Sequence, residues 1–166
     1  VKRVNHIELR PLDDDDLDAV FEMMRDREAI AMAAFTAEDP DDRAAFDEWI
    51  ARQRAAADVL SFVVTENSGF AGTAASFTID GDREVTYWIA RHAWGRGVAT
   101  QALRLLISRE PIRPLFARAA AHNAASIAVL TKAGFTEVSR NIDFAPGLGR
   151  EIEEIVFTLP PALDGA

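Results

Sequence analysis

The chain has 166 residues, 49% apolar and 27% charged, with no cysteine and a net charge of -9 at pH 7. That is the composition and length of one globular domain, spanning 1–166, rather than of a disordered segment. Without cysteine there is no disulfide, no thiolate-bound zinc and no cysteinyl acyl-enzyme, and the acidic balance argues against a nucleic-acid or anionic-membrane partner; it is compatible with a cationic substrate, but serves solubility more simply.

The first thirty residues lack a basic-then-apolar signal pattern, and no apolar run is long enough to span a bilayer, so a soluble cytoplasmic protein is the expectation. Taken in chain order, "IELRPL" (Ile7–Leu12) alternates like a strand. "DDDDLDAVFEMMRD" follows, with Leu17, Val20, Phe21 and Met24 on one helical face. Its aspartates Asp13–Asp16 suit an N-cap and an acidic first turn against the helix dipole better than a metal site. A second helix is expected over "EDPDDRAAFDEWIARQRAA", with Asp39 as its N-cap and Pro40 at the first helical position. Two strand-like runs, Val59–Glu66 and Gly69–Ile79, then meet at a short Asn67–Ser68–Gly69 turn, which predicts an antiparallel hairpin. A turn at "GDRE" (Gly81–Glu84) precedes a third strand, "VTYWIA".

From Val98 the apolar residues Ala102, Leu105 and Leu106 mark a well-buried helix. Pro114–Ala121 is short enough to be a covered strand. "NAASIAVLTKAGF" predicts a helix with Asn123 as N-cap and Gly134 as its left-handed terminator. "TEVSRNIDF" and "REIEEIVFTL" are final strands around a Pro146–Gly147 turn. A helix between the "YWIA" and "FARA" strands makes those two parallel. The fold expected is therefore α/β (α+β): a mixed, mostly antiparallel sheet with a central parallel pair and helices on both faces.

The stretch "WGRGVAT" (Trp94–Thr100) turns a strand into a helix. A helix start presents unpaired N–H groups and a positive dipole end, and glycine lets an anion approach the backbone. Gly95 and Gly97 with Arg96, Val98, Ala99 and Thr100 could cradle a diphosphate, or the glycines could serve only the turn. A Walker loop is absent, and the dinucleotide fingerprint fails because its third glycine would be Thr100. His6, His92 and His122 are scattered without metal-ligand spacing, so no metal is expected.

The element order β-α-α-β-β-β-α-β-α-β-β resembles the GNAT acyl-CoA-dependent N-acetyltransferases. Within them the chain resembles the branch acting on ribosomal-protein N-termini and its relatives acting on small amines. "YWIARHAWGRGVATQAL", "NAASIAVLTKAGFTEV" and "EEIVFTL" carry the likeness. The resemblance implies acetyl-CoA as cosubstrate, an amine acceptor, direct attack in a ternary complex, and no metal; a non-catalytic CoA-binding or partner-binding module of the same fold is the alternative. It leaves a homodimer open. By similarity, the backbone of Ile89, Ala90 and Arg91 pairs with the pantetheine arm, and an N–H near Ile89 serves the thioester oxygen. The amides from Arg96 through Thr100 hold the diphosphate, with Gly95 and Gly97 giving clearance. Trp94 stands where the family has Gln or Arg, which leaves Arg96 as the main loop cation. Asn123 contacts the pantetheine arm in this reading, besides capping its helix. Many members place a tyrosine on that helix; here the only tyrosine is Tyr87, on the strand, so Ser126 becomes the candidate proton donor unless it is merely a first-turn serine. Lys132 could approach the 3′-phosphate or simply complement the dipole. Glu84 matches a branch glutamate and is the candidate base, against the alternative of a turn-flanking charge. Thr86 replaces a usual glycine and Gln101 a usual glutamate. The acceptor groove would come from Ala29–Asp42 and Asn141–Arg150.

Overall fold

The computed structural model of the chain describes residues 5–162. Strand β1 (Ile7–Pro11) buries Ile7 and Leu9 and exposes Glu8 and Arg10, as alternation requires. The aspartate run that follows is a reciprocal cap. The Asp13 carboxylate accepts from the Asp15 N–H at 3.0 Å and the Asp16 carboxylate accepts from the Asp13 N–H at 2.9 Å, closing a single 3₁₀ turn before α1 (Leu17–Met24). Asp16 also receives both terminal nitrogens of Arg10 at 2.7 Å.

The chain then departs from the expected pattern. The first helical segment ends at Met24, and a short α2 (Arg27–Ala33) starts anew on Asp26, whose carboxylate accepts from the Glu28 N–H at 3.0 Å. The next helix, α3 (Arg43–Ala55), begins after Asp42 rather than Asp39. Asp39 closes a local turn by accepting from the Asp41 N–H, while Asp42 accepts from the Ala45 N–H, both at 3.0 Å. Several aspartates compete for one cap here, and the one that fits the helix start wins.

Strands β2 (Leu60–Glu66) and β3 (Gly69–Ile79) form the expected hairpin, with Asn67 and Ser68 both at positive φ, as a two-residue turn needs. The next turn lies at Asp80–Gly81, and β4 (Asp82–Ile89) already runs through Arg83 and Glu84, so Glu84 is a strand residue and not a turn-flanking one. Helix α4 (Val98–Arg109), β5 (Leu115–Ala120), α5 (Ala124–Lys132), β6 (Thr136–Ala145) and β7 (Arg150–Leu159) complete the chain, with Gly134 past α5 at φ 97°.

The seven strands form one sheet in the order β1-β2-β3-β4-β5-β7-β6, and the β4–β5 pair alone is parallel. This is the expected mixed sheet. Helices α4 and α5 cover one face, where Val85, Ile89, Leu103, Leu106, Leu115 and Phe157 pack in the main core. Helices α1 and α3 cover the other, through Val20, Phe21, Phe46 and Ile50. At the foot of β4 a buried ion pair joins sheet to helix: the Arg83 Nη2 lies 2.9 Å from the Glu110 Oε2, and the Ser76 hydroxyl donates to the same oxygen at 2.7 Å.

Candidate active site

Strands β4 and β5 pair only at Arg83–Leu115 and Glu84–Phe116, and beyond that point they part. On its far side β4 stays paired with β3 up to Ile89, and β5 stays paired with β7 up to Ala120. A wedge-shaped gap therefore opens in mid-sheet toward the C-terminal ends of both strands. Hydrogen bonds alternate along an antiparallel strand, and Ala90 donates to the Ala71 carbonyl at 2.8 Å, so the amides of Tyr87 and Ile89 point into the gap. The Ile89 carbonyl is engaged by the Trp94 indole at 2.7 Å, and the Ala90 N–H by Ala71. Of the expected pantetheine-pairing backbone, this leaves fewer free groups than Ile89–Arg91 as a whole. Arg91 itself turns outward to Asp26 and Glu28, at 2.8 and 2.9 Å.

The glycine loop closes the top of the gap. Gly95 and Gly97 have φ of 78° and 76°, with nothing within 4 Å of where a Cβ would stand. Their conformation is one that L side chains rarely adopt, and the space beside them is open. Gly97 is the N-cap of α4 and supplies no side chain to cap it, whereas Asp26, Asp42 and Asn123 cap α2, α3 and α5. The N–H groups of Val98, Ala99 and Thr100 thus stand without an intrahelical acceptor at the positive end of the helix, while the Val98 side chain is anchored in the core. Arg96 is not the free loop cation foreseen for it. Its guanidinium clasps the Glu66 carboxylate, with Nε 3.1 Å from Oε2, and also donates to the His92 carbonyl at 3.0 Å. The pair holds the Glu66 carboxyl below the usual carboxylate range, and with Arg96 so engaged the loop presents its backbone amides.

Asn123 caps α5 by accepting from the Ser126 N–H at 3.2 Å. The Ser126 hydroxyl meets the Tyr87 hydroxyl at 2.7 Å, a bridge from β4 to α5. Burial pushes the Tyr87 hydroxyl above its ordinary value of 10, with the Ser126 hydrogen bond opposing. The absence of a helix tyrosine had left Ser126 alone in the sequence; the fold brings a strand tyrosine to it. Strand alternation is the signal that could have found this, because Tyr87 shares its face with Val85 and Ile89, toward the helices. Lys132 lies exposed in the last turn of α5.

Glu84, on the opposite face, is 5% exposed and accepts from the Arg118 Nε at 3.0 Å. Arg118 also reaches the buried Glu154 Oε1, at 3.2 Å. Burial raises the Glu154 carboxyl, with Arg118 opposing and the nearby Asp143 and Glu84 adding to it. Neither Arg118 nor Glu154 was a site candidate in the sequence; they meet Glu84 because β4, β5 and β7 are neighbours. On this face too, the segments expected to frame an acceptor groove touch: Gly147 donates to the Ala34 carbonyl at 3.0 Å, and a Cβ on Gly147 would stand 2.3 Å from the Thr36 hydroxyl. Beside them a cavity of about 740 Å³ opens between α1, α3 and strands β2–β4. Among the described residues no cluster of side chains suits a metal, and no helix is long and apolar enough to cross a membrane.

A family model for the acetyltransferase (GNAT) domain matches residues 6–136. Among solved structures, the fold is similar to that of spermidine N-acetyltransferase from Vibrio cholerae in complex with CoA and spermine, with TM-score 0.81 and 17% identity over 93% of this chain and 95% of that one. It is also similar to ribosomal-protein-alanine N-acetyltransferase from Brucella melitensis, with TM-score 0.78 and 21% identity over 93% and 99% of the two chains. The Mycobacterium smegmatis RimJ structure in complex with CoA-disulfide has TM-score 0.76 and 22% identity, over 93% of this chain and 81% of that one. No curated protein matches the sequence.

Proposed function

Because the chain belongs to the GNAT acetyltransferase family, we propose that it moves an acetyl group from acetyl-CoA to a primary amine, by direct attack in a ternary complex. The observation that carries this reading is the parted β4–β5 pair running up to a helix start whose amides have no capping side chain. The gap offers an extended backbone edge for an amide-bearing arm, and the loop above it offers an anion cradle with open space at both glycines. Acetyl-CoA, when bound, supplies an acetyl group activated as a thioester.

In this reading the amides from Arg96 through Thr100 hold the diphosphate, and Gly95 and Gly97 admit it. The Tyr87 and Ile89 amides face the arm and its carbonyl, donors of the kind that stabilise developing negative charge on oxygen. An alkylammonium must lose a proton before it attacks, which costs on the order of 4–5 kcal/mol at pH 7. Glu84 accepts that proton, directly or through water, with Arg118 fixing its carboxylate and Glu154 sharing the guanidinium. The amide C–N bond forms, the thioester C–S bond breaks, and Ser126 gives its hydroxyl proton to the departing sulfur. Tyr87, 2.7 Å away, replaces that proton on Ser126, and the second proton that the nitrogen sheds as it becomes an amide returns to Tyr87 through water.

The test has two parts. Acetyl-CoA is expected to raise the melting temperature of the protein, and Gly97→Asp, which sets a carboxylate in the cradle, is expected to abolish the rise. Free CoA thiol is expected to appear from acetyl-CoA only when an amine is added. A melting temperature indifferent to acetyl-CoA would overturn the cradle, and amine-independent or absent thiol release would overturn the transfer.

A further inference from the structure

The cavity on the α1/α3 face differs from what a polyamine or an amino acid would need. Phe21, Phe46 and Trp49 form its helical wall, with Phe77 and Trp88 across from them. It has three carboxylates, and each is already engaged by backbone: Asp39 accepts from the Asp41 N–H, Asp42 from the Ala45 N–H, and Asp58 from the Thr78 N–H, at 3.0, 3.0 and 3.2 Å. Among the described residues that line it there is no lysine, arginine or histidine. All three aspartates are exposed to water, so a second ammonium buried on an acceptor would have no buried carboxylate beside it, and an acid group would have no cation in the lining. Either burial is costly.

The cavity also lies beside the reacting centre. Thr86, Tyr87 and Trp88 belong to its wall, and the same residues form the part of β4 that has left β5. Thr86 is exposed and shares its face with Glu84, roughly 7 Å away at two residues along a strand. An amine seated over Thr86 would have its substituent in the cavity and its proton within reach of the Glu84–Arg118–Glu154 cluster, directly or through one water.

We propose that the acceptor is a monoamine on an apolar body of aromatic size, carrying neither a second cation nor an acid group. The proposal rests on the acetyl-transfer reading and names its substrate class. A cavity of about 740 Å³ is of the size that encloses most of a small organic ligand. The same chemistry could be offered by a free amine or by the first residue of a polypeptide.

The experiment compares kcat/KM, from CoA thiol release, for 2-phenylethylamine, tryptamine, phenylalanine and spermidine, with a peptide amide beginning with Phe as a separate arm. The aromatic monoamines are expected to exceed phenylalanine and spermidine by at least thirtyfold, because either competitor would bury an unpaired charge. Two of the three tryptophans, Trp49 and Trp88, line the cavity, so 2-phenylethylamine is also expected to perturb tryptophan fluorescence without acetyl-CoA present. Trp49→Glu, at a position 38% exposed, places a free carboxylate in the wall and should move the ranking toward spermidine. A peptide that outpaces the free amines would place the acceptor on a polypeptide with the same apolar first residue. Spermidine or phenylalanine turned over as well as the aromatic monoamines would overturn this proposal alone. Thiol release with none of the amines would overturn the transfer reading along with it.

Discussion

The Tyr87–Ser126 hydroxyl pair concentrates the chemistry of the candidate site into one hydrogen bond of 2.7 Å. Loss of the serine removes the group assigned to protonate sulfur, and general acid catalysis contributes roughly 10²–10⁴-fold. Ser126→Ala is therefore expected to lower kcat about a hundredfold while acetyl-CoA still raises the melting temperature. Tyr87→Phe keeps the ring in the core and removes only the hydroxyl, so kcat should fall by less, roughly tenfold. Because burial raises the Tyr87 hydroxyl above 10, the alkaline limb of the pH–kcat profile should also change in Tyr87→Phe. A profile and kcat identical to wild type would remove Tyr87 from the proton path. Trp94 makes the complementary point about single residues. Its indole fastens the Ile89 carbonyl and so fixes the end of the strand.

Among the elements, the one that sets the gap is β4, held at its foot and released at its head. Arg83 and Glu110 tie the foot to α4 in a network that also takes in Ser76 and the Ile112 N–H. Both charges are buried, at 7% and 2% exposure, and removing one partner leaves the other uncompensated. Glu110→Ala is accordingly expected to cost about 3–5 kcal/mol, read as a lower urea midpoint; a loss under ~1 kcal/mol would mean that water reaches Arg83. The glycine loop and the caps of α5 were legible in the sequence because such signals lie within a few residues of what they cap. Helix α2 was not, since its seven residues carry too little periodicity to stand apart from α1. The start of α3 moved from Asp39 to Asp42 because neighbouring aspartates offer equivalent caps, and packing of Phe46 and Ile50 into the second core selects among them.

At the scale of the molecule, arginine–carboxylate pairs tie segments distant in sequence, Arg96 with Glu66 and Arg83 with Glu110, while Arg10 with Asp16 fastens the end of β1 to the turn that follows it. The hydrogen bond from Arg10 lowers the Asp16 carboxyl and that from Arg96 lowers the Glu66 carboxyl. At Glu110 burial acts upward, but Arg83 and Ser76 outweigh it and the carboxyl is again lowered. Folded values below the unfolded ones mean stabilisation in full above the unfolded range near ~4 and lost as pH falls through the folded values. Glu154, raised by burial, acts in the opposite sense, its ionised form weighing against the fold at neutral pH. The melting temperature is thus expected to hold from pH 7 to about 5 and to decline below about 4; scanning calorimetry across that range checks it, and a decline already complete at pH 5 would point to a different set of groups.

By itself the sequence determined the strands, the helices other than α2, the mixed sheet and the glycine-to-helix turn, because period, caps and positive-φ glycines are written within about one turn of chain. It also placed Ser126 and Glu84 among the candidates. Only the tertiary structure decided their partners. Tyr87 reaches Ser126 across 39 residues, and Arg118 joins Glu84 to Glu154 across 34 and 36. Glu66 takes up Arg96 across 30. These contacts depend on which strands lie side by side and in what register, and on the point at which β4 and β5 part. Hydrophobic packing over the whole sheet fixes all of these, and no local stretch of residues encodes them.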